Sequence, residues 1–405
     1  MTRHLLKLVW NRRRTNLLVV VEIFCSFLVL FGVVTLAVFY LDNYRQPLGF
    51  SSADVWVITL GAPEGGPGGP QAAHGETARR LAQAAREFPE VVEATGSFTS
   101  PYSTAGWNTD VTIEGRRIMY WVNQAGDEYD RVMGLGLVRG RWFSREDDGS
   151  AFTPVVVNEQ LARTFFGDSD PVGRAIPQDP PRDGKPRREL RVVGVVGAFR
   201  QRGEFSEPVG YSFRRFEAST DPAEPPPVPR LLVLKLRPGT LAAFEEKLVA
   251  RLQVEARDWS FEVEPLVQMR ESFLKERLTP VLALGIVAGF LMLMVALGLT
   301  GVVWQNVTQR TREIGLRRAK GATARRIHRQ ILGELVVMTT LALLAGLAVV
   351  VQFPLLDLVA AVRPAVYAAS LAISAVAIYC LTLVFGWYPS RLATMVQPAE
   401  ALRYE

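Results

Sequence analysis

Cysteine and histidine are scarce in this 405-residue chain. The two cysteines, Cys25 and Cys380, both fall inside apolar runs, and the three histidines, His4, His74 and His328, are far apart in sequence. Zinc-type cysteine spacing is therefore absent, and the long polar stretch between the apolar runs relies on no disulfide. Charge is missing from three runs: 281–304, 335–353 and 365–388 contain no Asp, Glu, Lys or Arg, and 17–41 contains only Glu22. Also lacking are G-x-x-x-x-G-K-[ST], H-E-x-x-H and G-x-S-x-G. These absences exclude a phosphate-cradling loop, a zincin site and a nucleophile elbow within these residues. The Gly-rich stretch GGPGGP has no lysine to reach a phosphate.

What is present divides unevenly. A membrane-spanning helix needs about 20 apolar residues, and each of the four runs is long enough. Residues 42–279 have an ordinary polar composition. The chain is therefore neither wholly soluble nor only a bundle of membrane helices. Net charge is +6 and the isoelectric point near 9.4. The bases cluster beside the apolar runs, which points to membrane orientation and not to nucleic acid. Arg3, Lys7, Arg12, Arg13 and Arg14 precede the first run. Arg310, Arg312, Arg317, Arg318, Lys320, Arg325, Arg326 and Arg329 lie between the second and third, and Arg363 alone lies between the third and fourth. The positive-inside rule then sets both termini and the 305–334 loop in the cytoplasm, with 42–279 outside. The first run is long for a signal peptide and no A-x-A-like site follows, so it reads as an uncleaved anchor.

The outer segment shows two strand–helix–strand patterns. In the first, 55–60 reads as a strand, 61–75 as a flexible loop, 76–88 as a helix stopped by Pro89, and 91–98 as a strand. In the second, 231–236 and 261–263 read as strands. They flank a helix capped by Thr240 and carrying Leu241, Phe244, Leu248 and Leu252. Two such units suggest a split, ferredoxin-like βαβ arrangement. The insert between them starts near Tyr129 and holds a strand at 154–157, a helix after Asn158 ending at Gly167, and a strand at 191–196. Pro-rich 178–188 and 219–230 read as loops or linkers. Leu266, Met269 and Phe273 keep helical spacing ahead of the second run, which predicts a stalk helix over 265–279; a flexible linker would more often contain Gly.

Several features admit two readings. Glu22 can sit near the headgroups beside Arg12–Arg14, make a helix-packing hydrogen bond, or serve a proton or substrate path. Gly285 and Gly289 form a G-x-x-x-G pattern that permits close helix approach, either in a dimer or within one subunit. Cys25 and Cys380 lie at similar depth and read as small apolar residues in lipid. Residues 3–16 suit an amphipathic helix on the cytoplasmic leaflet, or only a topogenic charge cluster. The 309–330 loop, QRTREIGLRRAKGATARRIHRQ, is either a plain positive-inside flank or a docking element. Within it Glu313 and Arg317 are spaced as an i,i+4 helix pair, Gly315 and Gly321 punctuate, and Thr323 can cap the next helix.

At these residues the chain resembles the permeases of the MacB, LolC/LolE and FtsX type. REIGLRRAKGAT, residues 312–323, is similar to that family's REIG-(I/L)-R-x-A-x-GAT signature. VVVNEQLARTFFGDSDPVGRAI (155–176), RVVGVVGAFR (191–200) and VQPAEALRYE (396–405) are similar to other family segments. Lys320 departs from the apolar residue usual there, and the nucleotide-binding domain that MacB carries is not found in these residues.

The resemblance implies an α-helical membrane protein with four transmembrane helices and a large α+β extracytoplasmic domain of two lobes, porter-like over 42–128 and 226–264 and sabre-like over 129–225. It implies a bacterial inner-membrane location and coupling to a cytoplasmic ATPase through Arg312, Glu313, Ile314, Gly315, Leu316, Arg317, Arg318, Gly321 and Ala322. ATP and Mg would be bound by that ATPase, with no cofactor in this chain. Expected partners are the ABC ATPase, a second permease copy or paralogue, membrane lipid, and a periplasmic adaptor and outer-membrane channel, with no nucleic acid. The expected function is mechanotransmission that drives efflux or extraction of a periplasmic or outer-leaflet substrate. The alternative is an FtsX-like regulator of an extracytoplasmic enzyme.

Overall fold

The computed structural model describes residues 13–62, 70–179, 188–216, 228–309, 314–317, 320–356 and 362–393. The chain falls into a sheet unit, 43–276, and a helical unit, 1–42 with 277–405.

The sheet unit begins with β1 (Val55–Gly61), α2 (Pro70–Arg86) and β2 (Val91–Ser97), after α1 (Arg13–Tyr44). It ends with β9 (Leu231–Leu236), α5 (Phe244–Glu255) and β10 (Ser260–Pro265). These strands lie in the order β10-β1-β9-β2, with β9 antiparallel to both β1 and β2. That is the split βαβ arrangement predicted from the two sequence patterns. Residues 55–58 are buried without alternation because both faces are covered. Trp56 and Ile58 join Leu81, Ala85, Leu248 and Leu252 under the helices. Val55 and Val57 face a second core with Tyr129, Val132, Met133 and Leu266. Each such aliphatic side chain contributes about 1.5–3 kcal/mol on burial.

Two boundaries differ from expectation. The helix expected at 76–88 starts at Pro70, inside the stretch read as a loop, because proline suits the first helical position. Thr240 does not cap α5: its hydroxyl donates to the Arg237 carbonyl, Leu241 is exposed, and the helix starts at Phe244.

The rest of the sheet runs β4 (Arg116–Ala125), β8 (Tyr211–Arg215), β6 (Thr153–Asn158), β7 (Leu190–Val196) and β5 (Leu137–Gly140), with β3 (Trp107–Ile113) on β4. The β3–β4 turn is Glu114-Gly115, both at positive φ (49° and 77°), as a two-residue type I′ hairpin requires. β4 pairs with β8 over 121–125 but with β2 only at Ser97–Ala125. Residues 107–125 thus join this half of the sheet, ahead of the start expected near Tyr129. Asn158 caps α4 (Glu159–Phe166) by accepting from Leu161 N at 3.0 Å, and also accepts from Tyr211 N at 2.9 Å. The short helix α3 (Tyr129–Met133) covers the face of β2 and β9 opposite α2 and α5. Where the halves meet, buried Asn123 accepts from Thr99 N and donates to Ser97 Oγ (3.1 and 3.0 Å). The Pro-rich segments lie mostly outside the described residues.

Among the described residues, four helices are long and apolar enough to cross a membrane: α1, α6 (Leu266–Gln309), α7 (Ala324–Val350) with the short α8 (Gln352–Leu355), and α9 (Pro364–Ala393). The predicted stalk is the start of α6, which continues through Pro280. Pro389, just past the charge-free run 365–388, lies inside α9. Close to it, the Ser390 hydroxyl lies 2.6 and 2.9 Å from the Gly386 and Trp387 carbonyls.

In the helical unit, packing uses small residues as seats. The Phe27 ring occupies the space a Cβ on Gly346 would need, and Leu335 lies 2.5 Å from where a Gly386 Cβ would sit. Along α9 the residues Val366, Ser370, Ser374, Ile378, Thr382 and Ser390 recur every four or eight positions and are buried. Thr382 meets Thr339 at 3.0 Å.

Candidate functional site

The basic loop between α6 and α7 is where the motif 312–323 falls. Arg312, Glu313 and Arg318 lie outside the described residues, so the expected Glu313–Arg317 pair does too. Residues 314–317 form one helical turn. Gly321 at φ 91° closes it, with Ala322 N donating to the Arg317 carbonyl at 2.9 Å, the six-to-one bond of a Schellman cap. A side chain there would be strained, which gives Gly321 its role. Thr323 occupies the N-cap position of α7 in extended backbone, but its side chain makes no cap bond.

Ile314 is 6% exposed and lines a cleft. Val303, Asn306 and Val307 of α6 form one wall, and Ile327, Ile331, Leu335 and Met338 of α7 form the other. A polar chain runs along the same cleft. Arg317 Nη1 donates to Gln330 Oε1 at 3.0 Å, and Gln330 Nε2 donates to Glu334 Oε1 at 3.4 Å. Glu334 is 9% exposed. It stands one residue before the apolar run at 335, so the run boundaries alone single out Glu22 as the lone carboxylate of the spans and pass over Glu334. The signal that marks it is its spacing of four from Gln330.

Gly315 is buried beside Ile314, whereas Leu316 is 49% exposed. Lys320, Gly321, Arg325, Arg326 and Arg329 are exposed, and Ala322 is half-buried. The turn therefore has an inner face locked between α6 and α7, and an outer face with one apolar side chain among bases. Next to it, His328 Nδ1 and Ser390 Oγ are 3.0 Å apart and the His328 ring meets Trp387 edge-on, tying α7 to α9. Among the described residues no group of three or more His, Cys, Asp or Glu could hold a metal ion.

The other predicted residues lie elsewhere in the helical unit. Glu22 lies against Gly298 of α6, its Oε2 2.5 Å from the position of an added Cβ. Gly285 and Gly289 have nothing within 4 Å of an added Cβ. The G-x-x-x-G pattern thus makes no close contact among the described residues. Cys25 and Cys380 are free and exposed.

Residues 25–251 match the MacB-like periplasmic core domain, and 285–398 match the FtsX-like permease C-terminal region. Among curated relatives, the macrolide export ATP-binding/permease protein MacB of Bdellovibrio bacteriovorus is 26% identical over 75% of this chain and 45% of its own length. The uncharacterized ABC transporter permease YvrN of Bacillus subtilis is 27% identical over 69% of each chain. The pyoverdine export ATP-binding/permease protein PvdT of Pseudomonas aeruginosa is 25% identical over 70% of this chain and 42% of its own length. The chain thus spans less than half the length of these two export proteins. Both matched regions are permease parts, one on the sheet unit and one on the helices. The chain belongs to the ABC transporter permeases that join a MacB-like periplasmic core domain to an FtsX-like permease region.

Proposed function

We propose that this chain is a membrane subunit driven by a separate cytoplasmic ATPase, which docks on the Leu316 face and moves the sheet unit through the helices. One observation carries the reading. α6 is a single helix of 44 residues, about 66 Å at 1.5 Å per residue. Its last turns line the Ile314 cleft, and its first turns place Leu266 and Phe273 in a core of the sheet unit. A continuous helix with side chains anchored near both ends transmits displacement.

ATP and Mg belong to the ATPase in this reading, and the chain sits in the bacterial inner membrane with both termini and the 305–334 loop cytoplasmic. A second copy or paralogue covers Gly285 and Gly289, where Leu282, Ile286 and Phe290 are exposed. The cargo is an amphiphile taken from the outer leaflet or the periplasm. The export named for two of the relatives favours transport over the regulation of an extracytoplasmic enzyme. An adaptor and an outer-membrane channel complete the path.

The test is affinity purification in mild detergent of wild type and Leu316→Arg. Wild type should bring down an ABC ATPase and the variant should not, at equal expression. Equal recovery of the ATPase by both would remove the Leu316 face from the docking surface, and recovery by neither would sink the reading. Sidedness is checked in a background lacking Cys25 and Cys380. Ala62→Cys should react with an impermeant thiol reagent in intact cells and Ala322→Cys should not; the reverse pattern would overturn the topology.

A further inference from the structure

Arg200 is 1% exposed and is the largest fully buried side chain among the described residues. It lies in the segment between β7 and β8 and belongs to no part of the coupling loop. Its guanidinium collects carbonyl oxygens. Nη1 donates to Asn43 O at 2.8 Å and Gln46 O at 3.0 Å, and Nη2 donates to Glu204 O at 2.5 Å and to Ser206 O. Asn43 belongs to the last turn of α1, where helix carbonyls lack an intrahelical partner and a cation is favoured. The backbone reinforces the attachment. Arg200 N donates to Leu48 O at 3.0 Å, and Gly49, at φ 81°, lies so close to the Ala198 carbonyl that no Cβ fits.

The same segment holds α6. Glu204 is 4% exposed, and its Oε1 takes Arg270 Nε at 2.5 Å in the second turn of that helix. Tyr102 Oη donates to the same oxygen at 3.3 Å, and its ring packs against Phe273. All these contacts lie inside the sheet unit. So one short loop, 198–206, fastens the end of the first membrane helix and the start of the second.

Stability alone does not account for the choice of residues. Buried charges are poor sources of net stability compared with apolar packing of equal volume, but they fix direction. Here Arg200 Nε and Glu204 Oε2 are buried without a hydrogen bond, so the arrangement is not the best satisfied one available.

We infer that the 198–206 loop is the clamp through which movement of α1 and α6 enters the sheet unit. Arg200 positions α1, and Glu204 positions α6 through Arg270. Because the two residues are four apart on one loop, the two helix ends move together. The inference rests on the mechanical reading above, but the clamp is a property of this chain alone and can be measured without a partner.

Amide hydrogen exchange on the full chain in nanodiscs is the first measurement. Glu204→Gln and Arg270→Met should each raise exchange in 266–273 by about tenfold or more, with β1 and β9 unchanged. Arg200→Lys should raise it in 41–46. If Arg200→Lys fails to fold, the Glu204 and Arg270 variants still decide the matter. The second measurement uses the complex with the ATPase. Glu204→Gln should keep ATPase copurification and lose most ATP-driven export. Wild-type exchange at 266–273 in both variants overturns the clamp. Raised exchange with unimpaired export overturns its role in coupling. If the wild-type chain recruits no ATPase, the permease reading fails and the exchange data still rule on the clamp.

Discussion

The two units satisfy their buried polar groups in opposite ways. In the sheet unit, Asn123, Asn158, Arg200 and Gln201 are buried and bond to distant segments. In the helical unit the buried polar residues are mainly hydroxyls. Ser370, Ser374, Thr382 and Ser390 each donate to a carbonyl four residues back on their own helix. A helix in lipid must close its own hydrogen bonds, so its polar groups carry little information about neighbours. Association is then left to shape, which the seats at Gly298, Gly346 and Gly386 provide. In the sheet unit water makes apolar burial the driving force, and polar side chains set which segment meets which. Added bulk should therefore harm the helical unit most, and lost charge should harm the sheet unit most.

Gly346→Leu should give the largest effect. The new side chain meets the Phe27 ring, which is 1% exposed and stacked on Phe31, so it cannot swing aside. Overpacking of this kind costs about 1–3 kcal/mol. Thermal unfolding of the detergent-solubilised chain should show a clear drop. Gly285→Leu and Gly289→Leu add the same bulk where nothing lies within 4 Å. They should leave monomer stability near wild type and lower only the dimer fraction. Equal destabilisation by all three would end the claim that shape is read locally.

Ile314 and Leu316 sharpen the comparison at the loop. Ile314→Ala removes a buried side chain that lines the cleft between α6 and α7 and should cost about 2 kcal/mol of local stability. Leu316→Ala removes a side chain that is 49% exposed and should leave unfolding unchanged. Its effect should appear in ATPase recovery, as a loss of about 1 kcal/mol or more in affinity. A stability loss from Leu316→Ala larger than that from Ile314→Ala would reverse the assignment of inner and outer faces.

The apolar spans were legible because a charge-free run as long as 281–304 matches the thickness of a bilayer and exceeds what a helix in a soluble core needs. The split βαβ half was legible because its strands are short apolar runs beside helical periodicity. β3, β4, β5 and β8 were not. All four residues of β5 are exposed, and β3 reads WNTDVTI, so neither offers a buried alternation to find. The α9 stripe from Ser370 to Ser390 was hidden because its small residues sit inside one continuous apolar run, while the more conspicuous Gly285-x-x-x-Gly289 meets nothing within 4 Å of an added Cβ among the described residues. At the loop, the motif located the site, but burial of Ile314 depends on side chains from two helices that no local pattern shows. The bond from Arg317 to Gln330 crosses thirteen positions for the same reason.

Asp147 tests the charge half of the comparison. It accepts from Arg141 through both oxygens, at 2.8 and 2.5 Å, and from Ser144 N at 2.9 Å in a capping box. The Arg141 guanidinium holds its carboxyl below the usual aspartate range, with burial opposing. A carboxyl depressed in the folded state stabilises only above its unfolded pKa of about 3.9, and the contribution disappears as pH falls through the folded value. Arg141 is half exposed, so solvent screening limits the contribution to about 1.5 kcal/mol. Asp147→Asn should therefore lower the unfolding midpoint at pH 7, and its deficit should shrink as pH is taken below 4. A deficit constant from pH 7 to pH 3 would assign the effect to the cap geometry and not to charge.

Thr339→Val should give the smallest effect. Thr339 and Thr382 are both fully buried and their hydroxyls are 3.0 Å apart, the kind of contact that would be costly to break in the sheet unit. Here the Thr382 hydroxyl lies 2.9 Å from the Ile378 carbonyl, so removal of its neighbour leaves it satisfied. Valine keeps the volume of threonine. Polar contacts between membrane helices average about 0.6 kcal/mol, and the loss should not exceed that. Thr382→Val should be similarly mild, and the double variant should show a coupling energy below about 0.5 kcal/mol. The check is a double-mutant cycle on unfolding of the solubilised chain. A coupling of about 2 kcal/mol would mean that the helices recognise each other through this hydroxyl pair, and that the contrast between the units is one of degree only.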